Sequence, residues 1–213
     1  LLLRQANPKE NQLSEEQLAE IFSHCNNDEL DTIRLFLPFF ESPDFLVGFL
    51  EEMERRNPHR VGIKYLLATS YHRLGMYDRL KKVVKRTELP TSITDLAGER
   101  QTCIQKTLYG LDLQRCTTWA ELAFSQNPQN QSVRFALALC YLQKKEAGNA
   151  RALLSKFFQN PPPLCPTQRL IGALTLHRNQ LFELSQKWAP RENLSLLTDA
   201  EKKLLRETLP KTE

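Results

Sequence analysis

Leu137-Ala138-Leu139-Cys140-Tyr141, followed by Ala150, Leu154, Phe157 and Pro162, is the stretch whose reading decides the fold. A large residue, a small one and an aromatic come first; a small residue, two apolar ones and a helix-ending proline follow. Two antiparallel helices packed as a hairpin need that order. The small side chains at Ala138 and Ala150 let the helices approach, and the large ones fill the space beside them.

Working outward, the same order recurs. Leu67-Ala68 with Tyr71 precedes Leu137-Ala138 with Tyr141 by 70 residues, and Asn57-Pro58 precedes Asn127-Pro128 by the same 70. Pro128 and Pro162 stand 34 apart, as do Cys116 and Ala150. A 34-residue period with one two-residue insertion near Thr94 to Leu96 reconciles these spacings, and Ile171-Gly172 then falls 34 after Leu137-Ala138. The units become 27–60, 61–94, 97–130, 131–164 and 165–198. Self-similarity at this period marks a repeat architecture, because a single hairpin cannot bury its own apolar face and must stack on neighbours.

Local signals set the helix limits. Residues 1–26 hold an irregular lead-in and a short helix opened by the capping-box pattern Ser14-Glu15-Glu16-Gln17. Asp28 to Phe40 reads as a helix interrupted by Pro38; Ser42-Pro43 restarts one that Asn57-Pro58 ends. Helix pairs are expected at Ile63–Leu74 with Tyr77–Thr87, Ala97–Tyr109 with Leu113–Ser125, and Ser132–Leu142 with Asn149–Phe158. A last pair starts after Pro166 and runs to Trp188. Thr198-Asp199-Ala200-Glu201 then opens a final helix to about Thr208, in a C-terminal segment 199–213 that caps the stack.

The period, the helix–turn–helix order and the pattern of large, small, aromatic, then Ala, aromatic and Pro resemble the tetratricopeptide repeat. Leu137, Ala138, Tyr141, Ala150 and Pro162 match its signature, as do Leu67, Ala68, Tyr71, Gly75 and Tyr77. Departures are Leu80 and Leu154 at usual Ala and aromatic sites, Leu184 and Pro190 in the fifth unit, and Arg34 and Pro38 in the first. The resemblance implies an all-α, right-handed superhelical solenoid of antiparallel helix pairs with end-capping helices.

It also implies that first helices line an inner groove fit for a helical or extended peptide. That wall carries Tyr65, Thr69, His72 and Arg73, then Gln101, Gln105, Leu108 and Tyr109. Phe135, Leu139, Leu142 and Gln143 continue it, then Arg169 and Leu176. The plainer reading of Phe135, Leu139 and Leu142 is packing between repeats. Chaperone-binding members of the family grip a terminal carboxylate with Lys, Arg and Asn on these faces; Tyr65, Thr69, Thr102, Phe135 and Leu139 stand here instead.

Composition bounds the rest. Of 213 residues, 41% are hydrophobic and 25% charged, the balance of a folded chain; seven glycines and few Val, Ile and Thr runs argue against sheets. The net charge of +4 is too small to call nucleic acid by itself. Five cysteines, with no CxxC pair and no Cys/His cluster, read as free thiols and give no metal site. The four scattered histidines find no triad partner, so no catalytic residue, cofactor or metal is expected. No apolar run nears the roughly 18 residues of a membrane span. Together these place the chain in the cytoplasm, with the nucleus or an organelle surface as alternatives.

The reading is therefore a non-catalytic scaffold or adaptor, bound to a protein or peptide partner within a larger complex. Arg79, Lys81, Lys82, Lys85 and Arg86 form a basic strip on one outer helix: a solvated face, or a docking strip for an acidic partner or nucleic acid. A nucleic-acid-binding array akin to the 35-residue RNA readers is the alternative, opposed by the 34-residue period and the low charge. A targeting module of a larger enzyme is a third reading, left open because the sequence does not start with Met.

Overall fold

A computed structural model describes residues 43–208 together with Gln17, Ala19 and Glu20. The helices expected over Ser14–His24 and Asp28–Phe40, with Arg34 and Pro38, lie almost wholly outside the described residues; Gln17, Ala19 and Glu20 are helical. Among the described residues every regular element is helical and there is no strand. In chain order these are α1 (Pro43–Arg56), α2 (Val61–Arg73), α3 (Tyr77–Arg86), α4 (Leu96–Leu108) and α5 (Leu113–Gln126). Next come α6 (Gln131–Gln143), α7 (Ala147–Gln159), α8 (Pro166–Arg178), α9 (Phe182–Trp188), a 3-10 turn (Leu194–Leu196) and α10 (Asp199–Thr208).

The packing follows one rule. Each of α2, α4, α6 and α8 packs on the helix that follows it, forming a hairpin, and on its counterpart in the next hairpin. Each second helix (α1, α3, α5, α7, α9) also packs on the helix that opens the next step, α9 on α10. Three apolar clusters result. One joins α1, α2 and α3 around Leu50, Met53, Ile63 and Leu66. A second centres on Trp119, Cys103, Cys116 and Cys140. The third holds Phe135, Leu139, Leu142, Ile171 and Trp188 together with Leu197 and Leu205.

The helix starts correct the expected period. α2, α4, α6 and α8 begin at residues 61, 96, 131 and 166, 35 apart each time, and each is 13 residues long. No insertion near Thr94 is needed. The turns repeat the interval: residues 75, 110, 145 and 180 all adopt positive φ, and amides of residues 76, 111, 146 and 181 reach back to carbonyls of 71, 106, 141 and 176. The second helices have 10, 14, 13 and 7 residues, so their spacings mislead. The long link from Thr87 to Asp95 follows the short α3, and the brief link from Asn127 to Asn130 follows the long α5. First helices must stack in register on one another; the links take up the difference.

Close approach is set by two glycines. A Cβ on Gly98 of α4 would stand 2.3 Å from the Tyr65 ring of α2, and one on Gly172 of α8 would stand 2.4 Å from the Trp188 ring of α9. Trp188 packs on its own hairpin at Gly172 and edge-on to Phe158 of the hairpin before. Trp119 donates Nε1–H to Glu99 of its own hairpin at 2.9 Å.

Candidate helix-binding inner face

The residues expected to line an inner wall separate by burial. Tyr65, Gln105, Phe135, Leu139, Leu142 and Leu176 are buried; Thr69, His72, Gln101, Leu108, Tyr109 and Gln143 are half-buried; Arg73 and Arg169 are exposed. Phe135 stacks on Phe157 of α7 and belongs to the third cluster with Leu139 and Leu142, so these three are core between hairpins. Two of the half-buried group, His72 and Tyr109, lie near the C-terminal helix of the same chain.

α10 begins at a reciprocal cap. Thr198 Oγ1 accepts the Glu201 amide at 3.2 Å, and Glu201 Oε2 accepts the Thr198 amide and hydroxyl at 2.7 and 2.8 Å. That arrangement satisfies first-turn donors that have no partner inside the helix. The carboxylate is fully buried, yet its other oxygen accepts the Thr167 hydroxyl of α8 at 2.6 Å, and His72 Nε2 of α2 lies 3.9 Å away. No hydrogen bond reaches that buried His72 nitrogen. Glu201 therefore sits between α8 and α2. Burial alone would raise its pKa; hydrogen bonds from Thr167 and Thr198, with the His72 ring close by, outweigh that and hold it below the ordinary glutamate value.

Neighbouring contacts extend the seat. Tyr77 donates its hydroxyl to the Leu197 carbonyl at 3.0 Å, across 120 residues of chain, and Lys202 lies over the Tyr77 ring. The Tyr109 hydroxyl is pushed up to about 12, by burial first and then by the charges of Glu201 and Asp199. At the far end Arg178 pairs with Glu207 at 3.7 Å. Leu197 and Leu205 are the apolar anchors.

The sequence named His72, Leu108 and Tyr109 for this face but missed Tyr77, Thr167 and Glu201. Thr198-x-x-Glu201 was visible as a helix start; nothing local to it reveals that its carboxylate is buried against residues 34 and 129 positions away.

Other candidates resolve into structure. On the basic strip, Arg79 pairs with Glu51 at 2.9 Å, Arg86 pairs with Glu54, and Lys81 lies over Tyr109, while all five cations stay exposed. Cys103, Cys116 and Cys140 are buried free thiols, while Cys165 is exposed; Cys25 lies outside the described residues. Among the described residues no group of His, Cys, Asp or Glu could hold a metal ion. None of the described helices is long and apolar enough to cross a membrane. Buried Glu99 serves the fold, accepting from Thr94, the Asp95 amide and Trp119.

The chain matches no family model, and no curated protein or solved structure matches it.

Proposed function

We propose that the chain is a non-catalytic scaffold of the tetratricopeptide kind, a right-handed superhelix of helix pairs that binds a helical segment of a protein partner on its inner face. One observation carries this reading: a helix, α10, already lies against α8 and comes near side chains of α2 and α3 that are far away in sequence. The turns at a constant interval and the packing of each first helix on the next support the superhelix. The resemblance rests on Leu67, Ala68, Tyr71 and Leu137, Ala138, Tyr141, which repeat at twice the observed period.

The test uses rim residues, since replacing Tyr65 or Phe135 would disrupt the core. A tagged chain is used to capture partners from its own cells, beside Arg73→Glu and Arg169→Glu variants whose helical signal is unchanged. A partner held by the native chain and lost by the variants supports the inner face. Identical capture by both removes it.

One observation favours a second reading, an RNA-binding array: the 35-residue interval matches the interval of that class, so the earlier objection from period falls. The pairing of Arg79 and Arg86 with Glu51 and Glu54 offsets part of the positive charge that α3 offers to phosphates. Binding of single-stranded RNA at physiological salt, lost on Lys82→Glu with Lys85→Glu, would support it.

A further inference from the structure

Cys103, Cys116 and Cys140 come from three successive helices, α4, α5 and α6, and meet in one apolar cluster where each is fully buried. Close packing alone does not call for sulfur there. Counted by the 35-residue interval, Ala68, Ala138 and Ala173 stand where Cys103 does. Ala150 holds the place in α7, fourth residue of the helix, that Cys116 holds in α5. Among the described hairpins, only that of α4 and α5 carries a thiol at both places.

An ion pair one turn away sets how the two thiols face. Lys106 stands three residues after Cys103 on α4, and Asp112 stands four before Cys116 at the start of α5. Lys106 Nζ reaches Asp112 Oδ2 at 2.6 Å. Residues three or four apart share a helix face, so the pair ties the helices together on the side that carries the sulfurs. There Cys103 Sγ donates to the Cys116 carbonyl at 3.5 Å, and Cys116 Sγ donates to that of Leu111 at 3.6 Å. Cys140 Sγ has another neighbour, the Thr107 hydroxyl at 3.5 Å.

The two sulfurs are chemically unequal. The neighbouring Cys103 thiol holds Cys116 below the ordinary cysteine value against the effect of burial, and Thr107 and the Lys106 ammonium add to it. The first turn of α5 acts in the same direction. The sulfurs of Cys116 and Cys140, together with burial, push Cys103 well up. Cys116 is therefore the nucleophile, and Cys103 stays a thiol until there is a sulfur for it to attack.

We propose that Cys116 and Cys103 are a peroxide-sensitive dithiol that oxidises to a disulfide joining α5 to α4. The Cys116 thiolate attacks one oxygen of hydrogen peroxide, and the O–O bond breaks. The leaving hydroxide takes a proton and becomes water, with a sulfenic acid left on Cys116. The Cys103 sulfur then attacks that sulfur; the S–S bond forms, the S–O bond breaks, and the hydroxyl departs as water with the Cys103 proton. Two thiols and one peroxide give one disulfide and two waters, and two electrons pass from sulfur to oxygen. Entry needs only the first turn of α5 to open, because Asp112, Gln114 and Arg115 around Cys116 are exposed and peroxide is close to water in size. This chemistry needs no partner on the inner face, so it stands apart from the scaffold reading above.

The test treats the full, reduced and folded chain with hydrogen peroxide, blocks the remaining thiols with N-ethylmaleimide and maps the peptides by mass spectrometry. A peptide pair joined through Cys103 and Cys116 is expected, with the far-ultraviolet circular dichroism unchanged. The urea midpoint of the oxidised chain is expected to rise, since the bond restrains the unfolded state. Cys103→Ala should stop the reaction at the Cys116 sulfenic acid, which dimedone traps, and Cys116→Ala should leave Cys103 unoxidised. Alanine occupies both places elsewhere in the stack, so both variants are expected to fold. Cys140→Ala is expected to leave the bond in place. A folded chain in which the pair never joins overturns the proposal, as does a bond that forms only in urea or runs to Cys140 instead. Dimedone found on Cys103 and not on Cys116 overturns it too. So does a fall in the midpoint or a lost helical signal on oxidation, because the sulfurs then do not face each other in the folded chain.

Discussion

At Gly98 and Gly172 a hydrogen stands where a methyl group would meet an aromatic ring. Glycine inside a helix is ordinarily about 1 kcal/mol worse than alanine, so replacement there should help. Here the rings of Tyr65 and Trp188 lie 2.3 and 2.4 Å from the would-be Cβ atoms, and overpacking of that kind costs about 1–3 kcal/mol. The second effect wins. Gly98→Ala and Gly172→Ala are each expected to lower stability, read as a lower urea midpoint at unchanged slope; a rise in either midpoint contradicts the packing. Glu201 gives a pH prediction. Its folded pKa is depressed, so its contribution is complete above the unfolded value near 4.5 and is lost as pH falls through the lower folded value. Asp112, held down by its hydrogen bond to Lys106, acts in the same direction. Urea midpoints should therefore hold from pH 7 to about 5 and fall below that. Glu201→Gln should reduce the drop.

At the element scale the four hairpin turns test the repeat. Residues 75, 110, 145 and 180 share one left-handed position, yet only two are glycine; Lys145 and Gln180 sit at φ of 65 and 62. A side chain there costs about 1 kcal/mol against glycine, part of which is offset by the freer unfolded chain. Lys145→Gly and Gln180→Gly are expected to raise stability by about 0.5 kcal/mol each in urea titrations, and a loss in both would count against the shared turn. The cap of α10 behaves oppositely. Thr198→Ala should cost about 1 kcal/mol locally, seen as faster hydrogen exchange over 199–208 with α4 to α7 unchanged.

On the scale of the whole molecule, the contact between Tyr77 and Leu197 couples the first complete hairpin among the described residues to the start of the C-terminal helix. In a simple linear stack each unit feels only its neighbours. Here Tyr77→Phe, on α3, is expected to speed amide exchange in α10 several-fold, as suits the loss of about 1 kcal/mol, with little change in α6 and α8. Equal effects everywhere would mean that the substitution acts on global stability and not through the seat.

The all-helical class of the described residues, the hairpin boundaries to within two residues, and the start of α10 at Thr198-x-x-Glu201 can be read from sequence. Capping residues, prolines and helical spacing act within a few positions of themselves. The expected period of 34 falls one short of the observed 35, because spacings across second helices and links vary while the first helices keep register. The site was legible only in part. Tertiary structure alone decided that Phe135, Leu139 and Leu142 are core, that Glu51 and Glu54 meet the basic strip, and that Glu201 reaches both Thr167 and His72. The reason is physical: local propensity fixes where each helix starts and stops, whereas which distant side chains meet depends on the packing of every interface at once.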